Sequence, residues 1–396
     1  MHPARPDWLD EAAFVQAIER VARWLQAWDS QGTHRTGTPG DLAGAAWLAE
    51  QAQALGASAI TETFALDRLD PLAAFLDCDG QRIDAVAVFD APATPDAGVT
   101  GRLGPAGSDA AIAVAELAPQ AVYSGEYRAL RDSTKHAGLV VITKGPLPGL
   151  ALLNAEQFRT PYGAPAVHVS SESGEMIRAA MQRGASARLV STSRRVPSQA
   201  PNVVARVPGH DAVRPPLVVM TPRSSWWQST AERGGGIVCW LESLRALLRI
   251  YPVCDVEFTA NSGHELGHLG LDDFVARRPG WDGSAERGGA VWVHYGANIG
   301  AAGGRLSLIS NDDALRSVAQ AALAAARQPP DVMPPKTLTP SGETRDIHRG
   351  GGRYVTLVGS NSWFHMPQDR WPDTVDVPAI ARIAAAGARL VEMLAG

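Results

Sequence analysis

The sequence predicts an α/β protein in which a mixed sheet is covered by helices on both faces and carries an inserted β-rich module. From residue 202 onward, short buried-strand patterns alternate with amphipathic helix patterns, which is typical of a sheet packed between helices. Residues 60–196 instead hold short alternating runs separated by Gly and Pro turns, which indicates the β-rich module. With 396 residues, 45% of them hydrophobic, the chain can bury a core of this size.

The individual elements follow from the spacing of apolar residues. Helices are predicted where apolar residues recur at intervals of three and four positions, and strands where short apolar runs are bounded by turn residues. The predicted helices cover residues 8–28, 42–55, 236–249, 312–327 and 377–394. The predicted strands of the main sheet cover residues 217–220, 256–260, 290–293 and 354–358. Functional groups of such sheets gather at the carboxyl ends of the strands, so we expect the side chains that follow these strands to meet.

The segment Asn261-Ser-Gly-His264-Glu265-Leu-Gly-His268-Leu-Gly fits two kinds of zinc site. On a helix, His264-Glu265-x-x-His268 would place two zinc-binding histidines one turn apart, with a glutamate that activates water. The preceding residues 254–260 alternate as a strand does, however, and three glycines within eight residues disfavour a helix. We therefore predict a strand-to-helix loop in which His268 faces solvent just before the helix starts near Leu269.

A strand that ends in such a loop resembles the Glu-Glu-x-Gly-Leu-x-Gly segment of the zinc aminopeptidases. This family, metallopeptidase family 28, also includes glutamate carboxypeptidases, glutaminyl cyclases and the transferrin receptor. Further segments resemble the family in the same order along most of the chain. They are His34-Arg-Thr-Gly-Thr-Pro-Gly40, the runs at 138–143, 163–170 and 202–209, Trp363-Phe-His365-Met-Pro-Gln-Asp369, and Thr374-Val-Asp376.

The resemblance implies a fold and a division of the chain. The fold is the phosphorylase/hydrolase-like sandwich of the zinc aminopeptidases. Residues 1–60 and 198–396 would form the catalytic α/β domain, and residues 61–197 would form a protease-associated-like insert.

The resemblance also implies metal ligands, of which this sequence keeps some and lacks others. After strand 217–220, where the family has His-x-Asp, the chain reads Thr-Pro-Arg223-Ser and offers no ligand. The family's bridging Asp-Asn pair corresponds to Glu232-Arg233, its metal-binding glutamate to Glu265, a later aspartate to His294, and its last histidine to His365. Two carboxylates and two imidazoles suit one divalent ion better than two. The expected ion is zinc, with manganese or another transition metal as the alternative.

The remaining site residues are assigned to catalysis and to substrate binding. His264 stands where the family has its catalytic base, and an imidazole can move protons near neutral pH, so His264 or Glu232 is predicted to do so. Arg223 and Arg233 would place positive charge near the lost metal positions and hold a carboxylate of the substrate. The predicted substrate-binding residues are Arg223, Arg233, Trp226, Trp227, Tyr295 and His348.

These residues predict a metal-dependent hydrolase that cleaves an amide or other C–N bond in a small molecule or a short peptide. Two alternatives stay open: a catalytically silent relative that acts as a binding protein, and a glutaminyl-cyclase-like acyltransferase with one metal. The net charge of −5 and the lack of basic or long apolar runs argue against nucleic-acid and membrane partners. A homo-oligomer is compatible with the sequence.

The cysteines and the N-terminal residues predict a cytoplasmic protein. Cys78, Cys239 and Cys254 form an odd and scattered set, which fits a reducing compartment better than a disulfide framework. The first residues lack the basic start and apolar run of a secretory signal.

Overall fold

The computed structural model describes residues 11–211, 213–284 and 289–396, which form a large mixed sheet with helices packed against it. The helices are α1 (Glu11–Asp29), α2 (Pro39–Ala54), α3 (Gly125–Asp132), α4 (Gly174–Gln182), α5 (Thr230–Leu247), α6 (Leu269–Ala276), α7 (Asp313–Ala325), α8 (Thr344–Gly350) and α9 (Val377–Ala395). The strands are β1 (Ala59–Cys78), β2 (Gln81–Asp84), β3 (Val86–Ala87), β4 (Val99–Pro105), β5 (Ile112–Leu117), β6 (Gly138–Thr143), β7 (Ala166–Val169), β8 (Ser186–Val207), β9 (Leu217–Pro222), β10 (Val256–Asn261), β11 (Val291–Tyr295), β12 (Leu306–Ser310) and β13 (Arg353–Gly359).

One half of the sheet has the predicted α/β architecture. Its strands lie in the order β12, β13, β11, β9, β10, β8, and the four from β13 to β10 are parallel to one another. On one face, Trp240 of α5 and Ile383 of α9 share a core with Phe258 of β10. On the other face, Phe274 of α6 packs with Trp292 of β11. Helices therefore cover both faces, which confirms the predicted fold class.

Two long strands connect this half to the β-rich part. β1 and β8 pair in antiparallel fashion from Ala59 opposite Ala205 to Cys78 opposite Ala187. β8 also pairs with β10 near its end and with β4 near its start, and β5, β6, β7 and β3 continue the sheet beyond β4. This part has a hydrophobic core of its own. That core is consistent with an inserted module, whose bounds at 61–197 and likeness to a protease-associated domain stay predictions.

Each predicted helix and main-sheet strand has an observed counterpart, whereas α3, α4, α8 and β12 were not predicted. α1 corresponds to the predicted helix at 8–28, whose first residues lie outside the described part of the chain, as does the segment tested for a secretory signal. α5 begins at Thr230, six residues before the prediction, because Asp369 accepts hydrogen bonds from the backbone N–H groups of Ala231 and Glu232. The lengths of β1 and β8 were also not predicted, because their apolar pattern is interrupted.

The predicted cytoplasmic location can be compared with the described helices and with the state of the cysteines. None of the helices within the described ranges is long and apolar enough to cross a membrane. The three cysteines are buried and free. The cytoplasmic location stays a prediction.

A close approach of two backbones at Gly235 yields a test of this packing. A Cβ atom at Gly235 would lie 1.9 Å from the carbonyl oxygen of Ile299. We expect Gly235→Ala to lower the free energy of unfolding by about 1–3 kcal/mol, although alanine favours a helix by about 1 kcal/mol. Urea denaturation measures the difference. The control is Gly125→Ala in α3, where a Cβ meets nothing within 4 Å and stability should not fall. Equal losses in both variants would contradict the packing.

Candidate functional site

Buried polar side chains meet beside the carboxyl ends of the four parallel strands, where the sequence predicted a site. We call them the polar cluster. Its members are Glu232, Arg233, His264, His268, His294, Glu343 and His365. Each of these residues is at most 5% exposed. Such a dense group of buried ionisable side chains is typical of a functional site.

Glu343 lies between two imidazoles of the polar cluster. Its Oε1 is 3.9 Å from Nδ1 of His264, and its Oε2 is 3.8 Å from Nε2 of His294. The ring of His268 lies 5.1 Å from the ring of His264, measured between centroids. Glu343 precedes α8, whereas His264 follows β10 and His294 lies on β11, so the chain contributes to this contact from three separate places.

Glu232 and its neighbour form the other side of the polar cluster, on the first turn of α5. Nε2 of His365 lies 3.4 Å from Oε1 of Glu232, and Nη2 of Arg233 lies 2.7 Å from the same oxygen. Nε of Arg233 donates a hydrogen bond to the carbonyl oxygen of Ser224 at 2.7 Å. Asp369 holds this turn in place through the backbone N–H groups of Ala231 and Glu232.

Many polar atoms of the cluster have no hydrogen-bond partner, while the opposite nitrogens of three histidines do. Nδ1 of His268 bonds Asp346, Nδ1 of His294 bonds Thr344, and Nδ1 of His365 bonds the carbonyl oxygen of Leu152. A buried polar atom without a hydrogen bond costs about 1–3 kcal/mol, so a group of them marks a place suited to binding a ligand. The atoms without an aligned hydrogen bond are Nδ1 of His264, Nε2 of His268, His294 and His365, both carboxylate oxygens of Glu232 and Glu343, and both Nη atoms of Arg233. Of these, Oε1 of Glu232 and Nη2 of Arg233 face each other in their ion pair.

Burial sets the protonation of the residues around Glu343. It raises the pKa of Glu343 to about 7, although the positive charges of His268 and Arg233 oppose this. It lowers the pKa of His294 to about 3 and that of His264 well below its usual 6.5, in both cases helped by Arg233. At neutral pH both of these imidazoles are therefore neutral, and Glu343 is poised to gain or lose a proton.

Charged partners decide the protonation of two other members. Burial raises the pKa of Glu232, but Arg233 and His365 outweigh that effect and bring it to about 2. Burial lowers the pKa of His268, but its hydrogen bond to Asp346 outweighs burial and raises the pKa above 6.5. Glu232 is therefore ionised at neutral pH. His268, expected to face solvent, is instead fully buried and ion-paired.

Glu265, a predicted metal ligand, has other partners. Its Oε1 accepts hydrogen bonds from the backbone N–H and the hydroxyl of Thr36 at 2.8 and 2.7 Å. Its Oε2 accepts one from the hydroxyl of Ser224 at 2.6 Å. These bonds tie the loop after β10 to the segment before α2. Both oxygens of Glu265 thus serve the packing of the loops, which differs from the predicted role.

Two predicted substrate-binding residues lie in the packed interior instead. Arg223 is fully buried and donates hydrogen bonds to the carbonyl oxygens of Asp41 and Pro201, with an ion pair to the Asp41 carboxylate at 2.8 Å. Tyr295 is also fully buried, and its hydroxyl bonds that of Ser243. The backbone and the core supply partners for both side chains, and substrate binding by Arg223 and Tyr295 stays a prediction.

Of the other predicted substrate-binding residues, Trp227 contacts the polar cluster, whereas Trp226 and His348 have partners outside it. Trp227 donates its indole N–H to the carbonyl oxygen of His365 at 2.9 Å, and Trp226 packs against Phe89. Nδ1 of His348 lies 3.0 Å from the hydroxyl of Tyr354 on β13. Substrate contacts by Trp226, Trp227 and His348 stay predictions.

The residues predicted from the sequence do not include Glu343, the central member of the polar cluster. The residue precedes the run Asp346-Ile-His348, which contains the predicted substrate-binding residue His348. An acidic residue so close to that run was the available signal. Thr36, in the matched opening motif, was also missed as a partner of Glu265.

Solved structures provide the comparison for this fold. A zinc aminopeptidase from Bacillus subtilis is 17% identical, covers 96% of this chain and 95% of its own, and superposes with a TM-score of 0.75. A peptidase M28 precursor from Shewanella amazonensis is 16% identical, with 98% of each chain covered and a TM-score of 0.74. Family models and curated protein sequences give no match.

The chain has the zinc-aminopeptidase fold. This confirms, at the level of the fold, the resemblance seen in the sequence motifs. A glutaminyl cyclase from Fimbriiglobus ruber is more distant, at 10% identity and a TM-score of 0.50.

The zinc-aminopeptidase fold implies a metal, which would need at least three side-chain ligands in the polar cluster. Glu232 and His365 are 3.4 Å apart, about the separation of two ligands on one zinc ion. A third ligand is lacking, because both oxygens of Glu265 are engaged and His294 faces Glu343. No three His, Cys, Asp or Glu side chains of residues 11–211, 213–284 and 289–396 are grouped so that they could hold an ion.

Charge disfavours a metal at the same place. An ion bound to Oε1 of Glu232 would lie within about 5 Å of Nη2 of Arg233, since that nitrogen is 2.7 Å from the oxygen. Repulsion between a dication and a guanidinium at that distance amounts to roughly 7 kcal/mol at an effective dielectric constant of about 20. The residues as placed therefore do not fit the implied metal.

The hydrogen bonds of Glu265 yield a test of its structural role. The hydroxyl of Thr36 donates to Glu265 and accepts from the backbone N–H of Gly263. Thr36→Val removes both bonds at a buried carboxylate, so we expect the free energy of unfolding to fall by about 2–3 kcal/mol in urea denaturation. Thr100→Val serves as the control, since Thr100 is an exposed strand residue. If Thr36→Val were as stable as this control, Glu265 would not be a structural residue.

Proposed function

We propose that the protein is a hydrolase that cleaves an amide or other C–N bond in a small molecule or short peptide, with Glu343 as its catalytic base. The single observation that supports this most is a buried carboxyl group with a pKa of about 7 between two imidazoles, inside a fold shared with aminopeptidases. A base is most effective when its pKa lies near the working pH. Glu343 thus replaces His264 and Glu232 as the group proposed to move protons.

The chemistry follows from the protonation of the polar cluster. Ionised Glu343 accepts a proton from a water molecule, which adds to the carbonyl carbon of the substrate. His264 has a low pKa and remains neutral, so it can hold that water by a hydrogen bond without competing for the proton. Protonated Glu343 then returns the proton to the departing nitrogen as the C–N bond breaks.

A cleft beside the polar cluster supports a small substrate. Its volume is about 530 Å³, within the range of pockets that bind small molecules. Ser341 and Arg345, which flank Glu343 in the sequence, line the cleft together with Tyr123 from the β-rich part. Nη2 of Arg345 reaches to 3.5 Å from Nδ1 of His268, so the wall of the cleft touches the cluster. A small molecule or the end of a short peptide fits this space.

A binding protein without catalytic activity is the second candidate. It is favoured by the departures from the family's motifs at His264 and His294 and by the sealed state of the polar cluster, whose members are at most 5% exposed. Turnover distinguishes the two candidates. The hydrolase should release amine from at least one member of a panel of aryl amides, dipeptides and cyclic amides, whereas the binding protein should release none.

Glu343→Gln provides the decisive prediction. The amide cannot accept the proton, so we expect kcat to fall by about 10²–10⁴-fold. The wild-type rate should rise as pH increases through about 7, because the base must be ionised, and this rise should vanish in the variant. At pH 8 the variant should be at least as stable as the wild type. Burial raises the pKa of Glu343 in the folded state, so its ionisation opposes folding above its usual pKa of 4.5.

Glu257→Gln is the matched control. Glu257 is also a buried glutamate with a raised pKa, but it pairs with Arg278, which follows α6 and lies outside the polar cluster. Its substitution should leave kcat and the pH profile unchanged. A Glu343→Gln protein with full turnover would exclude Glu343 as the base, and a wild type inactive on the whole panel would favour the binding protein.

A further inference from the structure

We propose that Arg233 has taken the place of a metal ion in this fold, so that the polar cluster is metal-free and the guanidinium is its fixed cation. The ligand it faces is a negatively charged oxygen: the oxyanion that forms on a substrate carbonyl, or a carboxylate. This oxyanion role rests on the hydrolase proposed above. The metal-free state does not, because it follows from the position of Arg233 and from the partners of the nearby carboxylates.

The guanidinium of Arg233 is held in a fixed position. Arg233 is 1% exposed and is held by two contacts: Nε donates to the carbonyl oxygen of Ser224, and Nη2 lies 2.7 Å from Oε1 of Glu232. Neither Nη atom has an aligned hydrogen-bond acceptor. The guanidinium is therefore fixed by Nε and by the ion pair of Nη2, while the donors of Nη1 stay free, as in a preorganised oxyanion site.

The carboxylates around Arg233 already have partners or face imidazoles. Glu232 is the carboxylate on which an ion would have to bind, and Arg233 already neutralises it at 2.7 Å. Glu265 is engaged by Thr36 and Ser224. The remaining carboxylate, Glu343, faces His264 at 3.9 Å and His294 at 3.8 Å through different oxygens, and among the described residues no three such side chains are grouped to hold an ion. Glu232 and Glu265 would each have to give up a partner within the chain to bind a dication.

The reaction step that follows keeps atoms and charges balanced. Water loses a proton to Glu343 and its oxygen adds to the carbonyl carbon, so the carbonyl oxygen becomes an oxyanion beside the free Nη donors of Arg233. The oxyanion then collapses, the C–N bond breaks, and the proton on Glu343 goes to the nitrogen. Arg233 stabilises the charge in the middle of this sequence, which is what a metal ion would otherwise do.

The test measures metal and does not need turnover. Wild-type protein, incubated with zinc chloride and passed through a desalting column, should retain far less than one zinc ion per chain in elemental analysis. Arg233→Gln removes the positive charge but keeps a hydrogen-bond donor, which frees Glu232 next to His365. We expect this variant to retain clearly more zinc than the wild type, because Glu232 and His365, 3.4 Å apart, can then share an ion without a neighbouring positive charge. Circular dichroism establishes that each variant is folded.

Two controls separate charge from disruption. Arg233→Lys keeps a positive charge and should remain free of zinc. Arg131→Gln removes another arginine that is 1% exposed and ion-paired, with Asp90 at 3.0 Å, but lies outside the polar cluster, and it should gain no zinc. Where Arg233→Gln does not fold, the wild type and Arg233→Lys decide the matter, because one tightly held ion in either contradicts the proposal.

The possible outcomes are distinct from those of the proposed function. A wild type with one retained zinc ion overturns the metal-free centre and leaves the hydrolase open. A folded Arg233→Gln protein without zinc also overturns it, since the guanidinium would then not be what excludes the ion. A metal-free wild type that gains zinc only in Arg233→Gln supports the proposal even if no substrate is ever turned over.

Discussion

The centre of this protein is organised by the free energy that a buried charge costs unless the chain supplies a partner. Arg223 is matched by Asp41 and by backbone carbonyl groups, and Glu265 is matched by hydrogen bonds from Thr36 and Ser224. These contacts join the segment before α2 to the loops that follow β9 and β10. Satisfying the charges therefore also fixes the loops around the site.

The polar cluster is where this matching is incomplete. The Nη atoms of Arg233, the oxygens of Glu343 and four imidazole nitrogens lack aligned hydrogen-bond partners, although each lies in the interior. A chain selected only for stability would not keep so many unsatisfied groups together. The free energy lost here is compensated by the large apolar core on both faces of the sheet, in which Trp240 and Phe274 are fully buried. What the cluster retains is a set of donors and acceptors ready for a ligand.

A zinc aminopeptidase shares this sheet although only 17% of the residues are identical. In this chain the architecture rests on the apolar faces of the sheet and on the backbone approach at Gly235. Asp369 anchors the start of α5, and position 232 points a carboxylate toward His365. The neighbouring guanidinium alters what that carboxylate can bind. A shared fold does not by itself establish a shared function, which depends on the side chains of the site.

The sequence by itself determined the alternation of strands and helices and the edge of the sheet at which the site lies, because apolar periodicity is a local property. It also placed His264, His294 and His365 at that edge, whereas Glu232 was assigned to the site through the family resemblance. Only the tertiary structure decided which way each side chain turns. Glu265 accepts a hydrogen bond from Thr36, which lies 229 residues away in the sequence. His268 is buried and paired with Asp346 rather than exposed. Glu343 enters the site from a loop, and no local pattern records such a contact, because it depends on the folding of the whole sheet.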